Sequence, residues 1–179
     1  MARLSLLGGS IMLLTSSCIV ADPPEYQEPQ RTRPTLDVYR ATPTTSRVLV
    51  VNTNDLVRIS VPLRSEDAGE SLTGVFLVDY NAGSSGLLQN VQKIAASTYA
   101  DDQRAVTLDW TVPSLMDGCH LLSLIVAHGS SFKDNPSYAL NADAANGDVA
   151  IINWYVNLNA AAGETSTLMN CPTPGIPTK

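Results

Sequence analysis

Apolar residues recur at every second position in one stretch of this chain after another. That alternation constrains the fold more than any other feature of the sequence. In LVRISVPL (56–63), Val57, Ile59, Val61 and Leu63 alternate with Arg58 and Ser60. In AVTLDWTV (105–112), Val106, Leu108, Trp110 and Val112 share one side, and Thr107, Asp109 and Thr111 share the other. In DVAIINWYVNLN (148–159), Ala150, Ile152, Trp154, Val156 and Leu158 line up opposite Asn153, Tyr155 and Asn157. A period of two is the signature of a strand with one buried face. It places Trp110 and Trp154 in a core.

Other runs fit the same pattern with less contrast. LTGVFLVDY (72–80) reads as a strand closed by NAGSSG, and Val48–Val51 is a short β-branched run. DGCHLLSLIVAH (117–128) is apolar at Leu122, Leu124 and Val126 and again at Leu121 and Ile125, as expected of a central strand covered on both faces. Pro62 near the end of its run points to a sheet edge or bulge, because proline has no backbone N–H to give. One segment stays open: LLQNVQKIAAS (87–97) sets Leu87, Val91, Ile94 and Ala95 at helical spacing and reads either as one short helix or as an irregular strand.

About seven strands separated by turns, without βαβ alternation, predict an all-β fold, an antiparallel β-sandwich over 35–179. The run WTVPSLMDGCHLLSLIVAH resembles the E–F corner of immunoglobulin-like and fibronectin-III-like domains. The resemblance places Trp110 and Val112 on strand E, Asp117-Gly118 in the turn, and Leu122, Leu124 and Val126 on strand F. His120 stands near the position of the family's corner tyrosine, and the family's B–F cysteine pair is missing.

The first residues have a different character. A short positive start, Met1-Ala-Arg3, leads into a mostly apolar run to Leu14, then Thr15-Ser16-Ser17-Cys18. That is the layout of a secretory signal, and the run falls short of the roughly 20 residues a membrane-spanning helix needs. The segment resembles the signal of bacterial lipoproteins, with Thr15 where the family prefers Leu. The resemblance implies removal of residues 1–17, lipidation of Cys18, and anchoring through acyl chains in the cell envelope. Ile19 rather than Asp after the cysteine implies the outer membrane. An ordinary secretory cut after Ala21 is the alternative. Residues 18–34 carry Pro23, Pro24, Pro29 and Pro34 without hydrophobic periodicity and read as an extended tether.

Loss of Cys18 from the thiol count leaves Cys119 and Cys171. In an oxidising compartment such a pair reads as a disulfide, closing a loop of about 53 residues and contributing about 4 kcal/mol by chain entropy. Neither cysteine has a second one close by, which argues against a thiolate zinc site.

The net charge of −6, without a basic cluster, speaks against nucleic acid as a partner. No G-x-S-x-G, H-E-x-x-H or glycine-rich phosphate loop occurs. His120 and His128 are the only histidines. Eight residues apart on one strand they would sit about 26 Å from each other, and they read as surface residues at strand ends. Asp101-Asp102, Glu66, Asp67 and Glu70 read as turn residues, and Asp79 as a strand end. No catalytic residue is predicted. The long connection 129–148 is the candidate recognition loop, with Phe132 and Tyr138 as aromatic anchors and Asp134, Asp143 and Asp148 as carboxylates. Asp143, Asn146 and Asp148 offer oxygen ligands for calcium, at a spacing unlike an EF-hand; otherwise no cofactor is expected. The expected function is a non-catalytic binding or structural accessory module of the envelope, with a protein or complex of the envelope as partner. A carbohydrate-binding module is the alternative, and a hydrolase of envelope polymers a third.

Overall fold

The computed structural model describes residues 31–80, 86–99, 103–115, 117–133 and 148–160. The signal segment, Cys18, most of the tether, Asp134, Tyr138, Asp143 and Cys171 lie outside the described residues.

Eight strands are present among the described residues: β1 (Thr35–Leu36), β2 (Leu49–Val51), β3 (Leu56–Arg64), β4 (Leu72–Val78), β5 (Leu87–Ile94), β6 (Arg104–Thr111), β7 (Gly118–His128) and β8 (Val149–Leu158). Two 3-10 turns, Val38–Arg40 and Gly129–Ser131, are also present among the described residues. One sheet has the order β1-β3-β6 and the other β2-β8-β7-β4-β5. Every pairing is antiparallel except β2 with β8, which is parallel. In immunoglobulin lettering β1, β3 and β6 stand where A, B and E do, and β5, β4, β7 and β8 where C′, C, F and G do. The all-β sandwich expected from the alternation is therefore the observed architecture.

The period-two residues meet between the sheets. Ile59, Val61 and Leu63 from β3 and Val106, Leu108 and Trp110 from β6 face Leu122, Leu124 and Val126 from β7 and Ile152, Trp154 and Val156 from β8. Burying side chains of this size is worth about 1.5–3 kcal/mol each, which makes this layer the main source of stability. Trp110 lies on β6 in one sheet and Leu122 on β7 in the other, so the chain crosses between sheets at the predicted corner. Gly118 follows with φ +125°, a backbone that favours glycine. As expected, β7 is buried on both faces. Its outward residues Leu121 and Ile125 are as covered as its inward ones, with Val75, Leu77, Ala127, Phe132 and Val149 forming a second apolar cluster around Ile125.

The helix left open for 87–97 is not formed; the residues make β5, and a bulge explains their spacing. The register between β4 and β5 slips between Phe76, opposite Asn90, and Leu77, opposite Leu88. An extra residue reverses the facing of the strand. Leu88 and Val91 thus reach the same outer cluster although three residues apart, while Ile94 turns into the main core. The bulged Gln89 accepts a hydrogen bond from Trp110 Nε1 at 3.1 Å. Pro62 sits in β3, the middle strand of its sheet, at a point where its neighbour has already left. Its carbonyl accepts from Asp37 N at 2.9 Å, just past β1. In an antiparallel strand N–H and C=O of one residue point the same way, so the missing N–H faces Asp37, whose carbonyl accepts from Arg40 N at 3.2 Å instead.

Candidate functional site

Among the described residues, three places where polar side chains converge bear on function. The first is the end of the sandwich where β7 finishes and β8 begins. Antiparallel pairing of Ala127 with Val149 brings His128 and Asp148 opposite each other. His128 Nδ1 donates to Asp148 Oδ1, and His128 N donates to Asp148 Oδ2 at 3.3 Å. Ser131, in the 3-10 turn that follows β7, also donates to Asp148. Across the sandwich, the β3–β4 turn places Asp67 Oδ2 3.4 Å and Glu70 Oε2 3.9 Å from His128 Nε2. The histidine is 1% exposed, so the reading of it as a surface residue is overturned. It is a buried tie between three segments.

Serine, histidine and aspartate are all present here, but not in nucleophilic order. Ser131 Oγ bonds the carboxylate rather than the imidazole, and the far ring nitrogen faces two more carboxylates. A nucleophile needs the histidine between it and the acid. The same cluster holds the start of the domain. Thr32 donates from both N and Oγ1 to Asp67 Oδ2, at 2.8 and 3.1 Å, and Arg31 pairs with Glu70 at 3.0 Å and with Ser130. Residues 31 and 32, read as tether, are docked on the sandwich.

The second place is the opposite end of β7. Asp79 takes a left-handed conformation, φ 55°, where β4 ends. Its carboxylate accepts from Leu121 N at 3.0 Å and contacts His120 Nδ1 at 2.8 Å, and its own N–H donates to Leu121 O at 2.7 Å. This tie occupies the corner where related folds use a tyrosine.

The third place is open to solvent. A groove of 350 Å³ runs between the 3-10 turn Val38–Arg40 and the outer side of β3, with Asp37, Tyr39, Arg40, Pro62, Arg64 and Gln103 among its walls. The turn is pinned on both sides. Asp37 N donates to Pro62 O, and Thr42 and Ser60 exchange backbone hydrogen bonds at 2.8 and 2.7 Å. Asp37 Oδ1 caps the turn by accepting from Arg40 N at 3.2 Å. Tyr39 is 99% exposed on this fixed turn. The polar outer face of the sheet continues to Ser60–Thr107 and to Arg58, which makes a two-pronged bond to Asp109 at 2.7 and 2.8 Å. That bond holds the Asp109 carboxyl below, and the Arg58 guanidinium above, its ordinary range.

The candidate residues of the 129–148 connection fall apart as a group. Phe132 is 5% exposed and packs on the outer face of the five-stranded sheet, so its ring is not a surface anchor. Asp148 serves His128 and Ser131. Tyr138, Asp134, Asp143 and Asn146, the last two offered as oxygen ligands for calcium, lie outside the described residues. Cys119 is half-buried at the start of β7; its expected partner Cys171 lies outside them too. Neither Trp110 nor Trp154 is a surface platform, at 3% and 0% exposure. Sequence reasoning missed the groove because its walls come from three separated segments and its most exposed residue, Tyr39, belongs to no alternating run.

Compared with known proteins, the chain matches no family model and no curated relative. Among solved structures it is similar to the CARDB domain of the PF1109 protein from Pyrococcus furiosus, crystallised in complex with di-metal ions. The identity is 14%, the match covers 76% of this chain and 97% of that one, and the TM-score is 0.42. The solution NMR structure of that CARDB domain matches at 18% identity over 61% of this chain and 86% of that one, with a TM-score of 0.34. A β-glucosidase from Listeria innocua in complex with glucose matches at 15% identity over 70% of this chain and 16% of that one, with a TM-score of 0.37. The metal ions belong to the Pyrococcus domain; among the described residues here, no group of three or more His, Cys, Asp or Glu side chains is placed to hold a metal. These likenesses accompany the β-sandwich architecture and assign the chain to no family.

Proposed function

We propose that this chain is a lipid-anchored, non-catalytic binding or accessory module of the bacterial cell envelope, carried on Cys18 and probing its surroundings at the end of a proline-rich tether. The observation that carries the reading is how the chain spends its acid–base side chains. Both histidines are tied to carboxylates that hold strand ends together, His120 to Asp79 and His128 to Asp148. The solvent-facing groove at Tyr39, in contrast, offers contact residues rather than an ordered acid, base and nucleophile. Docking of Arg31 and Thr32 suits a domain that hangs from its N-terminal end, because the tether then joins the sandwich through several hydrogen bonds rather than one flexible residue. The Cys119–Cys171 disulfide belongs to the same proposal, since an exported domain meets oxidising conditions.

The test is fractionation and crosslinking in intact cells. Wild-type protein is expected in the membrane fraction and crosslinked to one or a few envelope components. Cys18→Ala is expected to accumulate as uncleaved precursor or to appear in the soluble fraction. A Cys18→Ala protein that fractionates with membranes as the wild type does would refute lipid anchoring at this residue.

A further inference from the structure

The geometry points to the groove beside the 3-10 turn Val38–Arg40 as a binding site for an anionic glycan, that is, a saccharide chain bearing carboxylates; this rests on the reading of the chain as a binding module. Three observations carry it. Tyr39 is 99% exposed, so its ring contributes next to nothing to folding, yet the turn that displays it is pinned to β3 on both sides. An exposed aromatic ring is the surface on which the C–H face of a sugar stacks, and the pinned turn fixes the backbone from which this ring projects. The groove is also positive on a chain of net charge −6. Among the described residues Arg40 and Arg64 line it against one carboxylate, Asp37, which accepts from Arg40 N and lies 4.0 Å from Arg40 Nε, so the uncompensated charge is that of Arg64. Arg64 is exposed and has no ion pair among the described residues. A guanidinium fork of that kind binds a carboxylate by two parallel hydrogen bonds. Finally, the remaining polar walls are Thr35 and Gln103, a hydroxyl and an amide that can both donate to and accept from hydroxyl groups.

The volume of 350 Å³ lies at the lower end of the range for small-ligand clefts, enough for a short stretch of chain running out at both ends. An extended acidic peptide is the rival occupant. Peptides are usually gripped by an unpaired strand edge or by pockets for apolar side chains. Here β1 is two residues long, and Leu63 beneath the groove is fully buried.

The experiment is calorimetric titration of the full mature protein with tetragalacturonate, with the methyl ester of the same tetramer, and with hexaglutamate. The free-acid sugar is expected to bind with a Kd below about 1 mM and about five- to tenfold tighter than its neutral ester, the difference one charge-assisted contact makes. Tyr39→Ala should weaken both sugars about tenfold, as loss of one stacking contact predicts, without moving the melting temperature. Arg64→Gln should erase the preference for the free acid and leave the ester's affinity alone. Absence of binding to both sugars at millimolar concentration overturns the proposal, as does binding that neither substitution changes. Equal or tighter binding of hexaglutamate gives the groove to acidic peptides instead. A wild-type protein that reaches the membrane through Cys18 and crosslinks to an envelope component, but ignores both sugars, refutes the glycan site and leaves the module reading standing.

Discussion

Replacing Trp154 tests the packing logic of the whole sandwich. Its indole is fully buried in β8, directly opposite Leu122 of β7, and its Nε1 donates to Pro43 O at 2.8 Å. Trp154→Ala removes the largest fully buried side chain and leaves a cavity, at a cost of about 3–5 kcal/mol. Loss of the hydrogen bond to Pro43 adds about 1 kcal/mol. Against a total stability of about 5–15 kcal/mol, that is roughly a third of the upper figure and nearly all of the lower one. For a domain of this size each kcal/mol moves the melting temperature by about 2–4 °C, so a fall of about 8–24 °C is expected. Trp154→Phe separates the two contributions, because it keeps an aromatic ring in the core and gives up only the donor and part of the volume; a loss of about 1–3 kcal/mol is expected. Calorimetry and urea unfolding measure both variants, and an unchanged m-value shows that two-state behaviour survives. A shift below about 2 °C for Trp154→Ala would refute the assignment of this ring to the core, since no buried indole is lost so cheaply.

Three further outcomes are expected. Non-reducing mass spectrometry of protein taken directly from the envelope should show Cys119 linked to Cys171; two freely alkylated thiols would overturn that pairing. Asp79→Ala strips Leu121 N and His120 of their acceptor and should cost about 1–3 kcal/mol in urea unfolding, whereas Asp79→Asn, which tolerates the left-handed backbone and keeps an acceptor oxygen, should cost less. The Arg58–Asp109 bond depresses the Asp109 carboxyl, chiefly by its hydrogen bonds, so its contribution is present above the ordinary aspartate range and is lost as pH falls through the lowered folded value. Unfolding of wild type and Asp109→Asn from pH 7 down to pH 2 should therefore give curves that converge at acid pH, with the small difference at neutral pH shrinking in high salt.

The strands that alternate were legible because one buried face is all that a period of two requires. For β3, β6 and β8 the observed ends fall within a residue of the alternating runs. β5 was not, since its bulge at Gln89 converts strand spacing into the three-residue spacing of a helix. β1 is two residues long and has no pattern to read. The histidine ties were hidden for a different reason. His128 depends on Asp148, 20 residues away, and on Asp67, from the other side of the sandwich. One signal was available: where β7 and β8 are neighbouring antiparallel strands, the end of one must face the start of the other, and those positions are His128 and Asp148.

That pairing bears on how the fold selects a single register. Alternation fixes register wherever a one-residue slip would turn apolar side chains to solvent. β7 lacks that safeguard, because Leu121 and Ile125 on one face are as apolar and as buried as Leu122, Leu124 and Val126 on the other. Slipping this strand by one residue would exchange one apolar set for another at little hydrophobic cost. It would, however, pull His120 and Leu121 N away from Asp79 at one end and His128 away from Asp148 at the other. Each loss leaves polar groups buried without partners, which costs about 1–3 kcal/mol apiece. Two histidine–aspartate pairs thus sit at the ends of the strand whose hydrophobic pattern is least informative. Holding β7 in place gives both histidines a structural role.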